Sequence, residues 1–184
     1  MSDLGGAVAT ARLLLRQPGP EDLPDLFALY SDPLVWGPDP VSRHDTVAQT
    51  EAMLGNWLAA WERDGLGMWI CHLANGSFVG IGGCFVRSGV AWNLGFRLVP
   101  RFWRQGYAQE VSAAALAAAR ERRPDLPMTA YVVENNERSR RSVERLGLEL
   151  EWRGPDAGNP DPDAIRLLFS DRPLTDEART ALIA

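Results

Sequence analysis

The alternation of apolar and polar positions along the chain predicts one domain that mixes strands and helices. The apolar run at residues 12–16 ends at a Pro/Gly turn and predicts a strand. Apolar residues then recur at helical spacing in two segments, residues 20–31 and a longer segment that reaches about residue 63. Ser42 or Asp45 is the predicted N-cap of the longer helix.

The rest of the chain predicts most of a sheet. Three strands come first, and Asn75-Gly76 between the first two predicts a tight hairpin turn. A strand-helix-strand crossover follows, so at least one pair of strands is predicted to be parallel, with a right-handed connection. The predicted elements are strands 67–73, 78–86 and 91–99, helix 105–122, strand 128–133, helix 136–146, and strands 148–153 and 164–169.

The two cysteines lie on the predicted hairpin and are not expected to form a disulfide. A two-residue turn at Asn75-Gly76 places Cys71 opposite Gly80 rather than opposite Cys84. Two cysteines are also too few for a disulfide-stabilised scaffold, and they make a cysteine-based zinc site an unfavourable hypothesis.

Charge is distributed unevenly along a chain whose net charge of -5 argues against general nucleic-acid binding. Residues 97–145 contain ten arginines and six acidic residues, whereas the remainder contains nine arginines and eighteen acidic residues. A basic middle within an acidic chain indicates a local anionic ligand. No apolar run approaches the roughly 20 residues of a membrane span. The first residues do not resemble a signal peptide, so we expect a cytoplasmic protein with a flexible terminus at 1–10 and one domain at 11–184.

The turn before helix 105–122 has the composition of an anion-binding site. Gly106 and Ala108 are small residues in the first turn, where backbone N–H groups lack partners and the helix dipole is positive. Arg101 and Arg104 flank this turn, which makes it a candidate pyrophosphate site. Glycine is also common as a simple cap at a helix start, and the local pattern leaves both interpretations open.

Helix 136–146 carries a second candidate set. Asn136 is a suitable N-cap, and Ser139 lies at helical spacing from the apolar Val143, on the inward face. Arg141 belongs to an adjacent basic stripe. Taken alone, this helix is also explained by simple capping and a solvated basic face.

Two motifs in these segments occur together at a specific spacing. The first reads Gly95-Phe96-Arg97-Leu98-x-Pro-x-x-Trp103-x-x-Gly106-Tyr107-Ala108-x-Glu110, and the second reads Asn136-x-x-Ser139-x-x-x-x-Glu144-x-Leu146-Gly147-Leu148. A shorter match near the start reads Arg12-Leu13-x-Leu15-Arg16 and Asp22-Leu23-x-x-Leu26-Phe27. Over roughly residues 11–170 the chain resembles the GCN5-related N-acetyltransferase (GNAT) superfamily, most closely the branch that acetylates the N-terminal amine of ribosomal proteins.

The resemblance implies an α+β fold with a mixed, mostly antiparallel sheet of six to seven strands and helices on both faces. The sheet is expected to splay at a central parallel pair, between the strand that ends at Val99 and strand 128–133. Acetyl-CoA, as co-substrate, is expected to lie in that opening, and no metal is implied.

The resemblance also implies which residues hold acetyl-CoA. Backbone N–H groups of residues 104–108 are expected to bind the pyrophosphate, and the pantetheine arm is expected to contact Asn136 and to pair with the strand backbone. The expected CoA-binding residues are Leu98, Val99, Arg101, Arg104, Gln105, Gly106, Tyr107, Ala108, Asn136, Ser139 and Arg141.

The implied reaction is direct attack of a primary amine on the thioester in a ternary complex. A backbone N–H near Leu98 would stabilise the oxyanion, and the Ser139 hydroxyl would protonate the departing thiolate. Related enzymes often carry glutamate where this chain has Asn93, and an amide cannot act as a base. In this chain the amine proton would instead pass through water to another carboxylate, such as Glu134, or the amine would arrive already neutral. Trp36 and Asn93 are expected to contact the acceptor.

These observations predict an acyltransferase that moves an acetyl group from acetyl-CoA to a primary amine. A protein or peptide N-terminus is the first expected acceptor, and a small amine is the second. The alternative, which Asn93 favours, is an acyl-CoA-binding module with little or no catalysis that acts as a sensor or partner-binding protein. A nucleotide-binding protein is disfavoured because the chain has no lysine for a P-loop. We expect no nucleic-acid or membrane partner, and a monomer or homodimer.

Overall fold

The predicted strands and helices assemble into an α+β fold around one sheet in the computed structural model, which describes residues 7–157 and 159–183. The strands are β1 (Val8–Ala9), β2 (Leu13–Arg16), β3 (Met68–Leu73), β4 (Phe78–Arg87), β5 (Ala91–Leu98), β6 (Met128–Val133), β7 (Glu149–Pro155) and β8 (Ile165–Ser170). The helices are α1 (Leu23–Ser31), α2 (Val47–Asp64), α3 (Tyr107–Arg122), α4 (Glu137–Arg145) and α5 (Asp176–Ile183). The strand order is β1-β2-β3-β4-β5-β6-β8-β7.

The parallel pair β5 and β6 is joined only over a short stretch. Residues 92–94 of β5 pair with residues 128–130 of β6. Beyond that stretch β5 continues beside β4 as far as Leu98, and β6 continues beside β8 as far as Val133. The two strands therefore separate, and each has a backbone edge without a neighbouring strand. This arrangement confirms the predicted mixed sheet that splays at a central parallel pair.

Helix α3 covers one face of the sheet. Trp92, Leu94 and Leu98 of β5 pack in the same buried cluster as Val111 and Ala115 of α3. The small side chains along α3 allow the helix to approach the sheet closely. Close packing of this kind stabilises the fold, because a well-packed, buried aliphatic side chain contributes about 1.5–3 kcal/mol. This cluster holds the strand end and the helix start in a fixed relation.

Gly82 on β4 shows how close the approach of α3 is. A Cβ atom at this position would lie 2.6 Å from Cγ2 of Val111. Helices α1 and α2 cover the opposite face, where Leu26 packs with Ile70 and Ile81. The side chains of β5 therefore alternate between an apolar cluster under α3 and the face covered by α1 and α2.

The sheet has eight strands rather than six to seven because a short edge strand precedes β2. Val8 and Ala9 pair with Leu15 and Leu14. A strand of two residues has no measurable periodicity, and it lies within the segment 1–10 for which a flexible terminus is predicted. Residues 1–6 of that segment lie outside the described residues.

Two further features differ from the sequence prediction. Helix α2 is capped by Thr46 rather than by Ser42 or Asp45, because Oε1 of Gln49 accepts hydrogen bonds from the N–H groups of Thr46 and Asp45 at 3.0 and 2.8 Å. Helix α5 was not predicted.

No helix in the described part of the chain is long and apolar enough to cross a membrane.

The predicted pairing of Cys71 with Gly80 is confirmed, but the predicted two-residue turn at Asn75-Gly76 is wrong. The Leu73 N–H donates to the Ser77 oxygen at 3.0 Å across a three-residue loop, and a register shift between His72 and Cys71 then restores the predicted partner of Cys71. Cys71 on β3 lies opposite Gly80 on β4, and Cys84 is farther along, so both cysteines are free and buried. Burial raises the pKa of both thiols, which keeps them protonated.

Candidate active site

The separation of β5 and β6 opens a cavity of about 210 Å³. Among the residues that line it are Tyr30, Asp39, Asn93, Arg97, Asn136 and Ser139. Three of the predicted site residues, Asn93, Asn136 and Ser139, thus come together from β5 and from the start of α4. The other three residues extend the cavity towards α1 and the proline-rich segment that follows it.

The start of α3 forms a tight turn with free backbone donors. Gly106 precedes the helix with a φ of 85°, and Arg104 has a φ of 61°, which is uncommon for a residue with a side chain. The first intrahelical bond runs from the Glu110 N–H to the Gly106 oxygen at 3.1 Å. The N–H groups of Tyr107 to Gln109 precede that bond and, with the positive end of the helix dipole, can bind an anion.

Side-chain hydrogen bonds hold the loop between β5 and α3 in place. The Trp103 indole donates to the Leu98 oxygen at 2.7 Å, and the Gln105 amide donates to the Arg101 oxygen at 2.8 Å. From the residue just before β2, Arg12 Nη1 donates to the Gln105 oxygen at 2.7 Å. The exposed side chains at this turn are Arg101, Arg104 and Gln105.

The backbone at the end of β5 distinguishes two of the predicted residues. The Val99 N–H donates to the Val79 oxygen at 3.0 Å, and the Val99 oxygen accepts from the Phe102 N–H at 2.9 Å. Both polar groups of Val99 are therefore used within the protein, contrary to the expectation that they pair with a pantetheine arm. Since successive N–H groups alternate between the two edges of a strand, the N–H of Leu98 is the one that faces the opening.

The start of α4 faces the same opening. Oδ1 of Asn136 accepts a hydrogen bond from the Ser139 N–H at 3.1 Å, so Asn136 caps the helix as predicted. On α3, Nε2 of Gln109 donates to the Ser142 oxygen at 2.7 Å and ties the first turn of α3 to the second half of α4. The position of Ser139 is thus fixed by its own helix cap and by a bond from α3 to the next turn.

The basic stripe of α4 points away from the cavity. Arg141 forms an exposed ion pair with Glu137, with Nη2 and Oε2 at 2.9 Å. The guanidinium of Arg138 stacks over the Trp103 ring at 4.9 Å. Arg138 therefore lies nearer the turn before α3, whereas the Arg141 guanidinium is held one helical turn along, at the surface.

Asn93 is buried in the cavity wall, with 8% of its surface exposed. Among the described residues its Oδ1 has no hydrogen-bond partner. Glu134, the carboxylate named as an alternative proton acceptor, does not line this cavity. Glu134 forms a two-point ion pair with Arg153 at 2.6 and 2.9 Å, and the hydrogen bond from Arg153 lowers the pKa of Glu134.

Asp39 is a site residue that the sequence analysis missed. It lies in the proline-rich segment after α1 and is 8% exposed. Its Oδ2 accepts from the Ser42 hydroxyl at 3.0 Å and lies 3.7 Å from Nη2 of Arg166. Its Oδ1 is buried, and within residues 7–157 and 159–183 it has no partner. An aspartate between two prolines resembles an ordinary turn residue, so only its burial in the cavity identifies it.

Trp36 has a supporting position rather than the predicted place in the cavity wall. Its ring is buried, and it packs against Tyr30 with centroids 5.1 Å apart and beneath the Arg97 guanidinium at 4.4 Å. Tyr30 and Arg97 themselves line the cavity. Burial raises the pKa of Tyr30 to about 12 despite the nearby positive charge of Arg97, so this phenol stays protonated.

Residues 12–149 match the family of acetyltransferase (GNAT) domains. The chain belongs to the GNAT acetyltransferase family. The matched residues include β5, the turn before α3 and the start of α4, which are the parts that surround the opening.

Solved acetyltransferase structures share the fold over nearly their whole length. An acetyltransferase from Agrobacterium tumefaciens strain C58 is 25% identical, with a TM-score of 0.73 over 89% of this chain and 92% of that chain. A ribosomal L7/L12 α-N-protein acetyltransferase, RimL, in complex with coenzyme A is 18% identical, with a TM-score of 0.73 over 89% and 96%. An acetyltransferase from Salmonella typhimurium that modifies the N-terminal serine of L7/L12 is 18% identical, with a TM-score of 0.70 over 90% and 97%.

The described residues contain no group of three or more His, Cys, Asp or Glu side chains that could hold a metal ion.

Proposed function

We propose that this protein transfers an acetyl group from acetyl-CoA to a primary amine. The observation that carries the proposal is the divergence of β5 and β6, which leaves the Leu98 N–H at an open strand edge and leaves Asn136 and Ser139 in the wall of the cavity between the strands. An extended arm can add to such an edge as a further strand does. A protein or peptide N-terminus is the first candidate acceptor, and a small amine is the second. A cytoplasmic location and a monomeric or homodimeric state remain predictions.

The turn before α3 fits the diphosphate of acetyl-CoA. Free N–H groups at residues 107–109 and the left-handed Gly106 give a small, positively polarised surface, flanked by the exposed Arg101 and Arg104. Asn136 stands at the opening, where it can contact the pantetheine arm. When bound, acetyl-CoA supplies the thioester that the amine attacks.

The chemical step is assigned to residues around the opening. The amine nitrogen attacks the thioester carbon, and the Leu98 N–H stabilises the negative charge that develops on the carbonyl oxygen. The C–S bond then breaks, and the Ser139 hydroxyl gives a proton to the departing thiolate while it takes one from water, so the hydroxyl is restored. Asp39 is the only carboxylate among the described residues that line the cavity, so we assign to it the proton that the amine loses. Asn93 accepts a hydrogen bond from the amine and orients it.

A second candidate function is an acyl-CoA-binding module without catalysis, and it is favoured by Asn93, which stands where related enzymes often carry a glutamate that acts as a base. Calorimetry with coenzyme A and a thiol-release assay with acetyl-CoA and a panel of peptides and small amines separate the two. Transfer is expected to give tight CoA binding and thiol release that depends on an amine. Binding of coenzyme A without thiol release for any amine would support the module. An absence of binding heat at millimolar coenzyme A would contradict both functions.

A further inference from the structure

Gly95 lies in the middle of β5, on the floor of the cavity. Alternate residues of a strand share a face, so Gly95 lies on the same side as Asn93 and Arg97, and all three line the cavity. At about 3.3 Å per residue, Gly95 is about 7 Å along the strand from Asn93 and about 10 Å from Leu98. An acceptor that reacts between Asn93 and the Leu98 N–H therefore has the groups next to its amine close to Gly95.

The backbone of β5 does not require glycine at this position. A Cβ atom on Gly95 would lie 3.6 Å from Cε and 3.8 Å from Sδ of Met68, which are ordinary van der Waals distances. Gly95 does not have a positive φ, so a residue with a side chain can adopt the same conformation. Glycine inside a strand weakens the strand and often marks a place where a ligand approaches closely.

The glycines of the neighbouring strand β4 differ in this respect. A Cβ atom on Gly80 would lie 2.2 Å from the backbone of β5, and one on Gly83 would lie 2.4 Å from the backbone just before β3. A Cβ atom on Gly82 would lie 2.6 Å from Cγ2 of Val111 on α3. Within the described strands β4 and β5, Gly95 is therefore the glycine that packing does not explain.

Across the sheet from Gly95, the neighbouring side chains are apolar. The residue opposite Gly95 on β4 is Gly83, and the two diagonal positions on the same face, about 7–8 Å away, are Ile81 and Phe85. Met68 lies opposite Gly83 on β3, and the end of its side chain extends as far as Gly95. Met68, Ile81 and Phe85 all line the cavity and pack in the cluster beneath α1 and α2. Two glycines side by side thus leave a hollow over Gly95 that has apolar walls.

The charged side chains of the cavity offset one another. Arg166 forms a two-point ion pair with Asp156 at 2.8 and 2.6 Å, and it lies 3.7 Å from Asp39. Burial lowers the pKa of Arg97, and the negative charge of Asp39 opposes that shift. An apolar substituent therefore suits the hollow better than a charged one, because burying a further charge without a partner costs free energy.

We propose that the acceptor carries an apolar side chain next to its amine, and that this side chain lies over Gly95, against Met68, Ile81 and Phe85. The inference rests on the proposed acetyl transfer and adds the acceptor class. Two sources share this chemistry: a peptide whose first residue is apolar, and a small apolar amine. Gly95 is then a residue that determines specificity.

Two matched series of acceptors test the proposal at saturating acetyl-CoA. The peptide series is Leu-Ala-Ala amide, Asn-Ala-Ala amide and Gly-Ala-Ala amide, and the small-amine series is 3-methylbutylamine, 3-aminopropanamide and ethylamine. Each series has an apolar member, a polar member of nearly the same shape, and a smaller member. The wild-type kcat/KM is expected to be at least about tenfold higher for the apolar member than for the polar one in at least one series.

Gly95→Ala is expected to lower the ratio of kcat/KM for the apolar member to that for the smaller member by about tenfold or more, because the added methyl group occupies the hollow. Comparing this ratio with the wild-type ratio removes the difference in basicity between the amines. Gly55→Ala adds a methyl group on α2, where a Cβ atom would meet open space, and leaves the ratio unchanged. Calorimetry is expected to give the same affinity for coenzyme A in all three proteins.

Thermal unfolding distinguishes a glycine that serves the ligand from one that the fold requires. Gly95→Ala is expected to melt at or above the wild-type temperature, since alanine loses less conformational freedom than glycine on folding. Gly82→Ala is expected to melt at a lower temperature, because its Cβ atom would press against Val111.

The series that responds identifies the source of the acceptor. An unchanged ratio in Gly95→Ala, equal losses for the apolar and smaller members, or weaker coenzyme A binding in this variant would overturn the inference. So would a lower melting temperature of Gly95→Ala, or a wild-type protein that acetylates the polar members as well as the apolar ones. Failure of the proposed function has a different signature: the wild-type protein then releases no thiol with any of these amines.

Discussion

Glu110 in the first turn of α3 binds both the backbone and the side chain of Arg12. Its Oε1 accepts from the Arg12 N–H at 2.7 Å, and its Oε2 accepts from Nε of the same residue at 2.8 Å. The guanidinium lies over the Tyr107 ring at 4.4 Å and also donates to the Gln105 oxygen. The chain entering β2 is thus fastened to the turn that we assign to the diphosphate.

Arg12→Ala is expected to weaken coenzyme A binding severalfold while changing the free energy of unfolding by about 1 kcal/mol or less. The stability effect is small because the Arg12 side chain is 46% exposed. The effect on binding arises because the Gln105 carbonyl loses its tether. Calorimetry and thermal unfolding measure the two effects, with Arg63→Ala as the exposed control. Equal affinity for coenzyme A in Arg12→Ala and Arg63→Ala would show that the bond from Arg12 to the Gln105 carbonyl does not contribute to binding.

Glu110 also predicts a dependence of stability on pH. Burial raises the pKa of Glu110, but hydrogen bonds from Thr10 and Arg12 outweigh it, so the pKa lies below its ordinary value of 4.5. The stabilisation is fully present above that value and is lost as the pH falls through the lower, folded-state pKa. The difference in melting temperature between the wild-type protein and Glu110→Gln is therefore expected to shrink below pH 4.5. A difference that stays constant down to pH 2 contradicts this linkage, as a thermal unfolding series would reveal.

Gly106→Glu is expected to abolish coenzyme A binding. The added side chain would occupy a left-handed position, its Cβ would lie 3.2 Å from Nη2 of Arg12, and its charge would repel phosphates. Gly76→Glu is a matched control, since Gly76 has a φ of 82° in open space at the β3–β4 turn. Calorimetry should detect binding in the control only. Similar affinities for coenzyme A in both variants would show that the diphosphate does not bind at the start of α3.

Ser139→Ala is expected to lower kcat by at least about tenfold with little change in coenzyme A affinity, because it removes the proposed proton donor for the thiolate. The Asn136 cap uses the backbone N–H of Ser139, so the helix start is preserved. Ser142→Ala, one turn along the same helix, is the control and should turn over normally. If the two variants show the same kcat in steady-state thiol release, Ser139 has no acid role.

Asp39→Asn is expected to lower kcat by about 100-fold, the usual magnitude for loss of a proton acceptor. It also removes the corresponding limb of the pH–rate profile. Adding Asn93→Glu to this variant returns a carboxylate to the same cavity and should restore part of the activity and of the pH dependence. Asp45→Asn, which changes an exposed residue near the same segment, is the control. A wild-type kcat with unchanged pH dependence in Asp39→Asn would show that Asp39 is not the proton acceptor and that the amine proton goes to solvent.

Local patterns in the sequence were sufficient for most of the sheet. Asn75-Gly76 correctly located the hairpin, but the loop has three residues rather than two, and the predicted pairing of Cys71 with Gly80 holds because a register shift between His72 and Cys71 compensates. The two motifs predicted the splay of the sheet through their resemblance to a family. Edge strand β1 was missed because two residues carry no periodicity, and the cap of α2 was misplaced because several polar residues precede it.

What the sequence determined by itself was most of the secondary-structure elements, the crossover, the small-residue turn before α3 and the cap at Asn136, because turn chemistry and hydrophobic periodicity act between near neighbours. Only the tertiary structure decided that Asp39, Asn93 and Arg97 share one cavity. Asp39 comes from a proline-rich loop without periodicity, and its position depends on long-range packing and on Arg166. The composition of that cavity, and therefore the acceptor it suits, follows from contacts between residues far apart in the chain.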